Sequence, residues 1–258
     1  MKNKMIPTDF LLFKYDQGSR IPGSRMGPIQ FFKNYRNREN SRFFEIEFPK
    51  GGSSIYEKPL ILKGVQNFRI AIGGDHSITY LLVKSLFAKG KNNLLIIFDA
   101  HLDYFDEKSN NNDVNNWNFI NYILPYFKKI VVIGERNSEY KRKYNNCIHL
   151  ISSSRCIYSM NQVKDELKQL VTKFSDVYIS IDLDVLDPSV FPSVSYPIYG
   201  GLNYIDLITL LKTIINNCNI KAMDITEYNP MVADKGYFLL EQLVNEIRIS
   251  LGDYDAKQ

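Results

Sequence analysis

The stretch Leu94-Leu-Ile-Ile-Phe98-Asp99-Ala-His101-Leu-Asp103 decides how the chain is read: five apolar residues run straight into three potential ligands at alternate positions. A run that is apolar throughout, instead of alternating, marks an interior strand of a parallel sheet covered by helices on both faces. In an extended segment, residues i, i+2 and i+4 point the same way. Asp99, His101 and Asp103 are therefore expected to converge on one site at the strand's carboxyl end.

Runs of the same kind recur along the chain. Strands are expected at Phe10–Tyr15, Phe43–Phe48, Phe68–Ile72, Leu94–Phe98, Lys129–Ile133, Cys147–Ile151, Val177–Ile181 and Ile220–Ile225. Helical periodicity appears between them at Ile78–Ala88, Met160–Phe174, Tyr204–Asn216 and Tyr237–Ile249, the last with Leu239, Leu240, Leu243 and Ile247 on one face. Strand, helix and strand at this spacing form the βαβ signature. With no internal repeat and no long linker, residues 1–258 read as one α/β domain. Two polar loops stand out. Asp106–Asn118 reads either as a surface loop or as a lid, since it follows the strongest motif. Asp187–Leu202 carries Pro188, Pro192, Pro197 and Gly200-Gly201, which predicts a stiff shaped loop in place of a helix or central strand.

Composition excludes several classes. At 258 residues, 30.0 kDa, 45% hydrophobic and 23% charged, the chain is neither disordered, collagenous nor coiled coil. A formal charge of +4, scattered along the sequence, gives no stripe for nucleic acid. No apolar run reaches the roughly 20 residues that cross a bilayer, and Met1–Phe10 lacks a signal peptide's pattern. Three cysteines, Cys147, Cys156 and Cys218, show no paired spacing and fit a reducing compartment. A cytoplasmic protein without membrane or nucleic-acid partners is expected.

Two further clusters sit at strand ends. Ser180-Ile-Asp182-Leu-Asp184-Val-Leu-Asp187-Pro188 places Asp182 and Asp184 on a shared face. Gly73-Gly-Asp75-His76-Ser77 follows a strand through a tight glycine turn, leaving His76 at the sheet rim. Open parallel sheets bind ligands at their carboxyl ends. Buried acids need a counter-charge, and these clusters contain no Lys or Arg. A hard divalent cation, Mn²⁺ or Mg²⁺, supplies it economically, and the lack of nearby cysteine argues against thiolate zinc. His149, inside Cys147-Ile-His-Leu-Ile151, reads as an interior or sheet-edge residue. Glu227 in Asp224-Ile-Thr-Glu-Tyr-Asn-Pro230 reads as a turn acid or as a carboxylate for a cationic substrate, which a planar guanidinium would meet in bidentate fashion.

The motifs GGDHS at Gly73–Ser77, DAHLD at Asp99–Asp103 and SIDLDVLDP at Ser180–Pro188 resemble the signatures of the ureohydrolase family, which includes arginase, agmatinase and formimidoylglutamase. Asp16–Pro28, Asp187–Leu202 and Asp224–Pro230 resemble further family segments. The resemblance implies a three-layer α/β/α domain with a central, mainly parallel eight-stranded sheet and a centre of two Mn²⁺ per chain. Carried onto this sequence, one ion would take His76, Asp99, Asp103 and Asp182, and the other Asp99, His101, Asp182 and Asp184. Asp103 would relay protons and Glu227 would orient the guanidino group. The implied reaction cleaves a small linear guanidino substrate to urea and an amine.

The sequence departs from the family in places. Urea-forming members usually carry a His-Gly pair shortly after DAHxD, where this chain reads Asn115-Asn116-Trp117-Asn118 and has no histidine between His101 and His149. Ser195-Tyr196-Pro197 replaces a common Gly-Thr before proline, so Tyr196 would reshape the pocket; Asn116, Asn118, Tyr196 and Glu227 are placed on the substrate side. Ile133-Gly134-Glu135-Arg136 has an acid where the family has an apolar residue, and no acid pattern after Arg136 resembles an arginase's seat for an α-amino group. The resemblance thus runs nearest to agmatinase. Arginase or another guanidino or formimino hydrolase stands as one alternative, and an inactive metal-binding homologue with a regulatory or structural role as another. A deacetylase-like amide hydrolase ranks lower. The family also implies a homo-oligomer, a trimer or hexamer.

Overall fold

The computed structural model describes residues 5–48, 55–57, 59–104, 114–136 and 144–255. All eight expected strands form: β1 Thr8–Leu12, β2 Ser41–Glu45, β3 Phe68–Ile72, β4 Asn93–Phe98, β5 Lys129–Glu135, β6 Ile148–Ser152, β7 Asp176–Asp182 and β8 Ile220–Thr226. They make one sheet in the order β2-β1-β3-β8-β7-β4-β5-β6, and every pairing is parallel. The helices are α1 Gly27–Asn34, α2 Ile78–Leu86, α3 Phe119–Ile123, α4 Ser153–Tyr158, α5 Met160–Val171, α6 Tyr204–Ile215 and α7 Tyr237–Asp255.

Strand β4 shows why three layers form. Leu94, Ile96 and Phe98 pack on one face among residues of α5, α6 and α7, while Leu95 and Ile97 pack on the other against α2 and α3. All five are wholly buried. A strand apolar on both faces can only sit where helices cover both. The two edges differ: β2 and β6 each carry partly exposed residues.

One difference from the sequence reading has a local cause. β1 and β2 begin earlier than expected because pairing starts at polar residues, Thr8 opposite Ser41 and Phe68. The Asp187–Leu202 loop has neither helix nor strand, and its ends close through an isolated bridge between Leu186 and Leu202. No helix among the described residues is long and apolar enough to cross a membrane.

The topology decides where chemistry can sit. β3, β8, β7 and β4 lie side by side at the centre, and the acidic or histidine-bearing segments follow these four strands.

Candidate metal centre

After β3 the chain turns at Gly73-Gly74, where backbone meets backbone. A Cβ on Gly74 would lie 1.7 Å from the Tyr15 carbonyl oxygen, so no other residue fits without displacement. The Asp75 N–H donates to that same oxygen at 3.0 Å. This turn carries His76 into the sheet end, fully buried.

The β4 and β7 clusters converge, but through turns and not as extended chain. Asp99 Oδ1 accepts the His101 N–H at 2.6 Å, and Asp103 adopts a left-handed φ of 49°. Asp182 Oδ1 accepts the Asp184 N–H at 2.8 Å ahead of a short 3-10 turn over Leu183–Val185. Asp184 Oδ1 in turn accepts the Ala100 N–H at 3.0 Å, tying the two strand ends together. Glu227, after β8, has a φ of 63°. Left-handed backbone is costly for residues with a Cβ and clusters at functional sites.

His76 Nδ1 faces three carboxylates: Asp99 Oδ2 at 3.1 Å, Asp103 Oδ2 at 3.2 Å and Asp182 Oδ2 at 3.2 Å. His101 Nδ1 lies 2.9 Å from Asp184 Oδ2 and 3.5 Å from Asp99 Oδ1. The result is two donor groups, His76–Asp99–Asp182 and Asp99–His101–Asp184, with the donor atoms of each within 4.8 Å of one another and Asp99 common to both.

These residues fit a pair of hard divalent ions. His76 Nδ1, Asp99 Oδ2 and Glu227 Oε2 are buried without a hydrogen-bond partner, an arrangement that is costly unless a cation completes it. Without one, protons must compensate. Burial opposes the His76 charge, but Asp103, Asp182 and Asp99 raise its pKa well above the ordinary value. Burial, aided by Asp184 and Asp99, pushes the Asp182 carboxyl well up, and burial with Asp99 lifts Asp103 to about 7. Carboxylate oxygens with a minority of imidazole nitrogens suit Mn²⁺ or Mg²⁺.

A buried polar train supports His76 from behind. Its Nε2 lies 2.9 Å from Ser180 Oγ, and Ser180 donates to Asp224 Oδ1 at 2.5 Å. Asp224 Oδ2 also accepts from Tyr178 at 2.6 Å and Thr79 at 2.9 Å.

The cluster opens on a cavity of about 160 Å³, lined by His101, Asp103, Asp182, Asp184 and Glu227 together with Arg20, Asn116, Trp117 and Tyr196. Glu227 Oε1 accepts the His76 N–H at 3.0 Å and the Asn116 Nδ2–H at 3.2 Å. Burial, then the charge of Asp75, pushes its carboxyl to about 8. Tyr196 reaches the cavity, while its hydroxyl accepts the Ile21 N–H at 3.2 Å and meets Ser19 Oγ at 3.3 Å.

Asn118 Oδ1 accepts the Asn115 N–H at 2.8 Å in a local turn, and Asn118 is not among the residues that line the cavity. The short-range bond holds the amide in its own loop, as Asn side chains readily do. Residues 106–113 of the expected lid segment lie outside the described residues. His149 sits on edge strand β6 with Nε2 2.6 Å from Glu166 Oε1, away from the centre.

Sequence reasoning missed three contributors. Arg20 and Trp117 pair at the cavity, the Arg20 guanidinium carbon 4.7 Å from the indole centroid. Arg136 donates to the carbonyls of Gly134, Asp184, Val185, Leu186 and Ile198, fastening the segment after Asp182 to the proline-bearing loop. Its sequence signals were its place just past a strand end and within Ile133-Gly134-Glu135-Arg136, and neither pointed to these carbonyls.

The Arginase family profile matches residues 53–247. N(1)-aminopropylagmatine ureohydrolase of Thermus thermophilus is 32% identical over 165 residues, 62% of this chain and 55% of that protein. A mitochondrial arginase of Medicago truncatula is 31% identical over 168 residues, 62% of this chain and 48% of that protein. The chain thus spans about half the length of these curated relatives. The crystal structure of agmatine ureohydrolase from Thermoplasma volcanium superposes with a TM-score of 0.76 at 20% identity, covering 100% of this chain and 94% of that one.

Proposed function

Because the chain belongs to the arginase family, we propose that it hydrolyses the guanidino group of a small linear substrate to urea and an amine, most like agmatinase. The observation that carries this reading is the pair of acid–imidazole groups sharing Asp99 beside a cavity that also holds the unpaired Glu227 Oε2. His76, Asp99, Asp103 and Asp182 would hold one Mn²⁺, and Asp99, His101, Asp182 and Asp184 the second. When bound, such a pair supplies Lewis acidity and brings the pKa of water near neutrality.

The chain's own residues do the rest. Glu227 Oε2 accepts from the guanidinium N–H groups, and that cation restores the ionised carboxylate against the effect of burial. Asn116 steadies Oε1, so the substrate carbon is presented to the carboxylate cluster in one orientation. Asp103, which also lines the cavity, takes a proton released at the cluster and returns it to the departing amine nitrogen. Asn116 lies in the stretch where family enzymes have a histidine, and an amide cannot substitute for it in moving protons. That observation favours a second reading, a metal-binding homologue that does not turn over.

Urea release separates the two. Mn²⁺-loaded protein is offered agmatine, arginine, guanidinobutyrate and guanidinopropionate, with formimidoylglutamate followed as formamide, and Asp182→Asn runs alongside. Turnover of one compound, abolished in the variant, is expected; silence across the panel with ions bound would sink the hydrolase reading. A homo-oligomer, trimer or hexamer, is part of the proposal and is checked by sedimentation at micromolar concentration. The free thiols of Cys147, Cys156 and Cys218 suit a reducing, cytoplasmic setting.

A further inference from the structure

We infer that Arg20 is a carboxylate-binding subsite of the same cavity, so that, within the agmatinase-like reaction proposed above, the substrate is a short guanidino acid in place of agmatine, whose tail is an ammonium; the identity of the cleaved group rests on the hydrolase reading above.

The cavity is chemically two-ended. Apart from His101, its charged lining consists of Asp103, Asp182, Asp184 and Glu227, with Arg20 as the one Lys or Arg among the described lining residues. The acids account for a cationic head and metal ions, but not for a fixed positive charge. A ligand that meets both kinds of group carries a cation at one end and an anion at the other.

Arg20 is also presented, not merely present. Its guanidinium lies over Trp117 at 4.7 Å, a stack that uses the planar face and leaves the N–H edges to form a fork with a carboxylate. Its neighbours in sequence are both tied down: Ser19 Oγ and the Ile21 N–H meet the Tyr196 hydroxyl at 3.3 and 3.2 Å. The Gly18 N–H donates to Asp75 Oδ2 at 2.7 Å, and the Gly18 carbonyl accepts the Asn116 N–H at 3.1 Å. Nearby arginines are already engaged. Arg25 lies 3.8 Å from Asp16, and Arg136 is spent on carbonyls. Among the described residues, no carboxylate pairs with Arg20.

Size limits the length of the ligand, not the charge of its tail. A cavity of about 160 Å³ is close to the roughly 150 Å³ that takes a benzene molecule. It has room for a guanidino head and a few methylenes. An ammonium tail on such a ligand would lie near the Arg20 charge, whereas a carboxylate would complete it.

Trp117 is the sole tryptophan of the chain and lies against Arg20, so its fluorescence reports on this subsite without any turnover. The full chain, loaded with Mn²⁺, is titrated with guanidinobutyrate and with agmatine. Guanidinobutyrate is expected to shift Trp117 emission with a Kd at least tenfold below that of agmatine. Arg20→Ala should raise the guanidinobutyrate Kd about tenfold to a hundredfold, and Arg20→Glu should reverse the order so that agmatine binds better. Equal binding of the two compounds, or a ratio that Arg20→Ala and Arg20→Glu leave unchanged, would overturn the subsite. Urea release measured in parallel separates the two claims. Agmatine turnover with an Arg20-independent titration overturns the subsite and keeps the hydrolase; an Arg20-dependent titration without urea keeps the subsite and overturns hydrolysis.

Discussion

Nε2 of His76 lies 2.9 Å from Oγ of Ser180, and this contact settles which ring nitrogen faces the acids. Ser180 gives its own proton to Asp224, so the Nε2–H donates to Ser180 and Nδ1, turned toward Asp99, Asp103 and Asp182, is the nitrogen that would give its lone pair to a cation. Outer partners of this kind commonly change metal affinity by about tenfold to a hundredfold when removed. Ser180→Ala and Asp224→Asn should each weaken Mn²⁺ binding by that factor while His76 stays in place. A Mn²⁺ titration unchanged in both variants would show that His76 is oriented by packing alone.

On the proposed reading, Glu227 and Asn116, joined by a hydrogen bond, act together on the guanidinium. Glu227→Gln removes the charge that Oε2 offers and should raise KM for the turned-over substrate about a hundredfold, with a smaller fall in kcat. Asn116→Ala removes only the bond to Oε1 at 3.2 Å, so about tenfold is expected. If the two variants affected KM equally, the charge on Glu227 would not be what binds substrate.

The Gly73-Gly74 turn tolerates no side chain. A Cβ on Gly74 would overlap the Tyr15 carbonyl at 1.7 Å, and the turn carries His76. Gly74→Ala should cost about 3 kcal/mol of stability, read as a lower Tm by circular dichroism, with Mn²⁺ affinity falling alongside. An unchanged Tm would mean the turn is more pliable than its contacts indicate.

A pH effect arises far from the centre, at Asp9 on β1. Burial opposes its charge, but the Arg42 fork and the N–H groups of Gln66 and Asn67 hold the carboxyl at about 2, below its ordinary 3.8. The folded form is the stronger acid, so this stabilisation is complete above pH about 4 and fades as pH falls toward 2. Asp9→Asn should cost about 2 kcal/mol near neutrality and less at pH 2. A loss of equal size at both pH values would remove ionisation as the cause.

The strands were legible because several of them, notably β4, carry runs of apolar residues that a doubly covered sheet buries. Three short helices were not. α1, α3 and α4 have 8, 5 and 6 residues, too few turns for a periodic face to emerge. Arg248 was equally silent. It falls in the apolar helix α7, yet is fully buried, with its guanidinium donating to Thr8 Oγ1, the Tyr35 hydroxyl and the Ile6 carbonyl, all distant in sequence.

At the site, His76, Asp99, His101, Asp103, Asp182 and Asp184 could be gathered from sequence because acids at the ends of apolar strands share one sheet edge. The turns that aim them were not visible, nor was the train from His76 to Asp224. The local bond from the Asn115 N–H to Asn118 Oδ1 was equally invisible, since an Asn in a polar stretch gives no sign of which partner it takes. Arg20 and Arg136 went unread for the opposite reason: their partners, Trp117 and the carbonyls around Val185 and Ile198, are brought near only by the fold.

In the proposed centre Asp99 is shared between two ion positions. The most direct test of that sharing is the number of Mn²⁺ ions retained per chain after gel filtration, in the unaltered protein and in Asp99→Asn, with electron paramagnetic resonance to detect coupling between them. Two ions per chain with an exchange-coupled spectrum are expected, and loss of both in Asp99→Asn. A single uncoupled ion in the unaltered protein, or two ions retained without the Asp99 carboxylate, would contradict it.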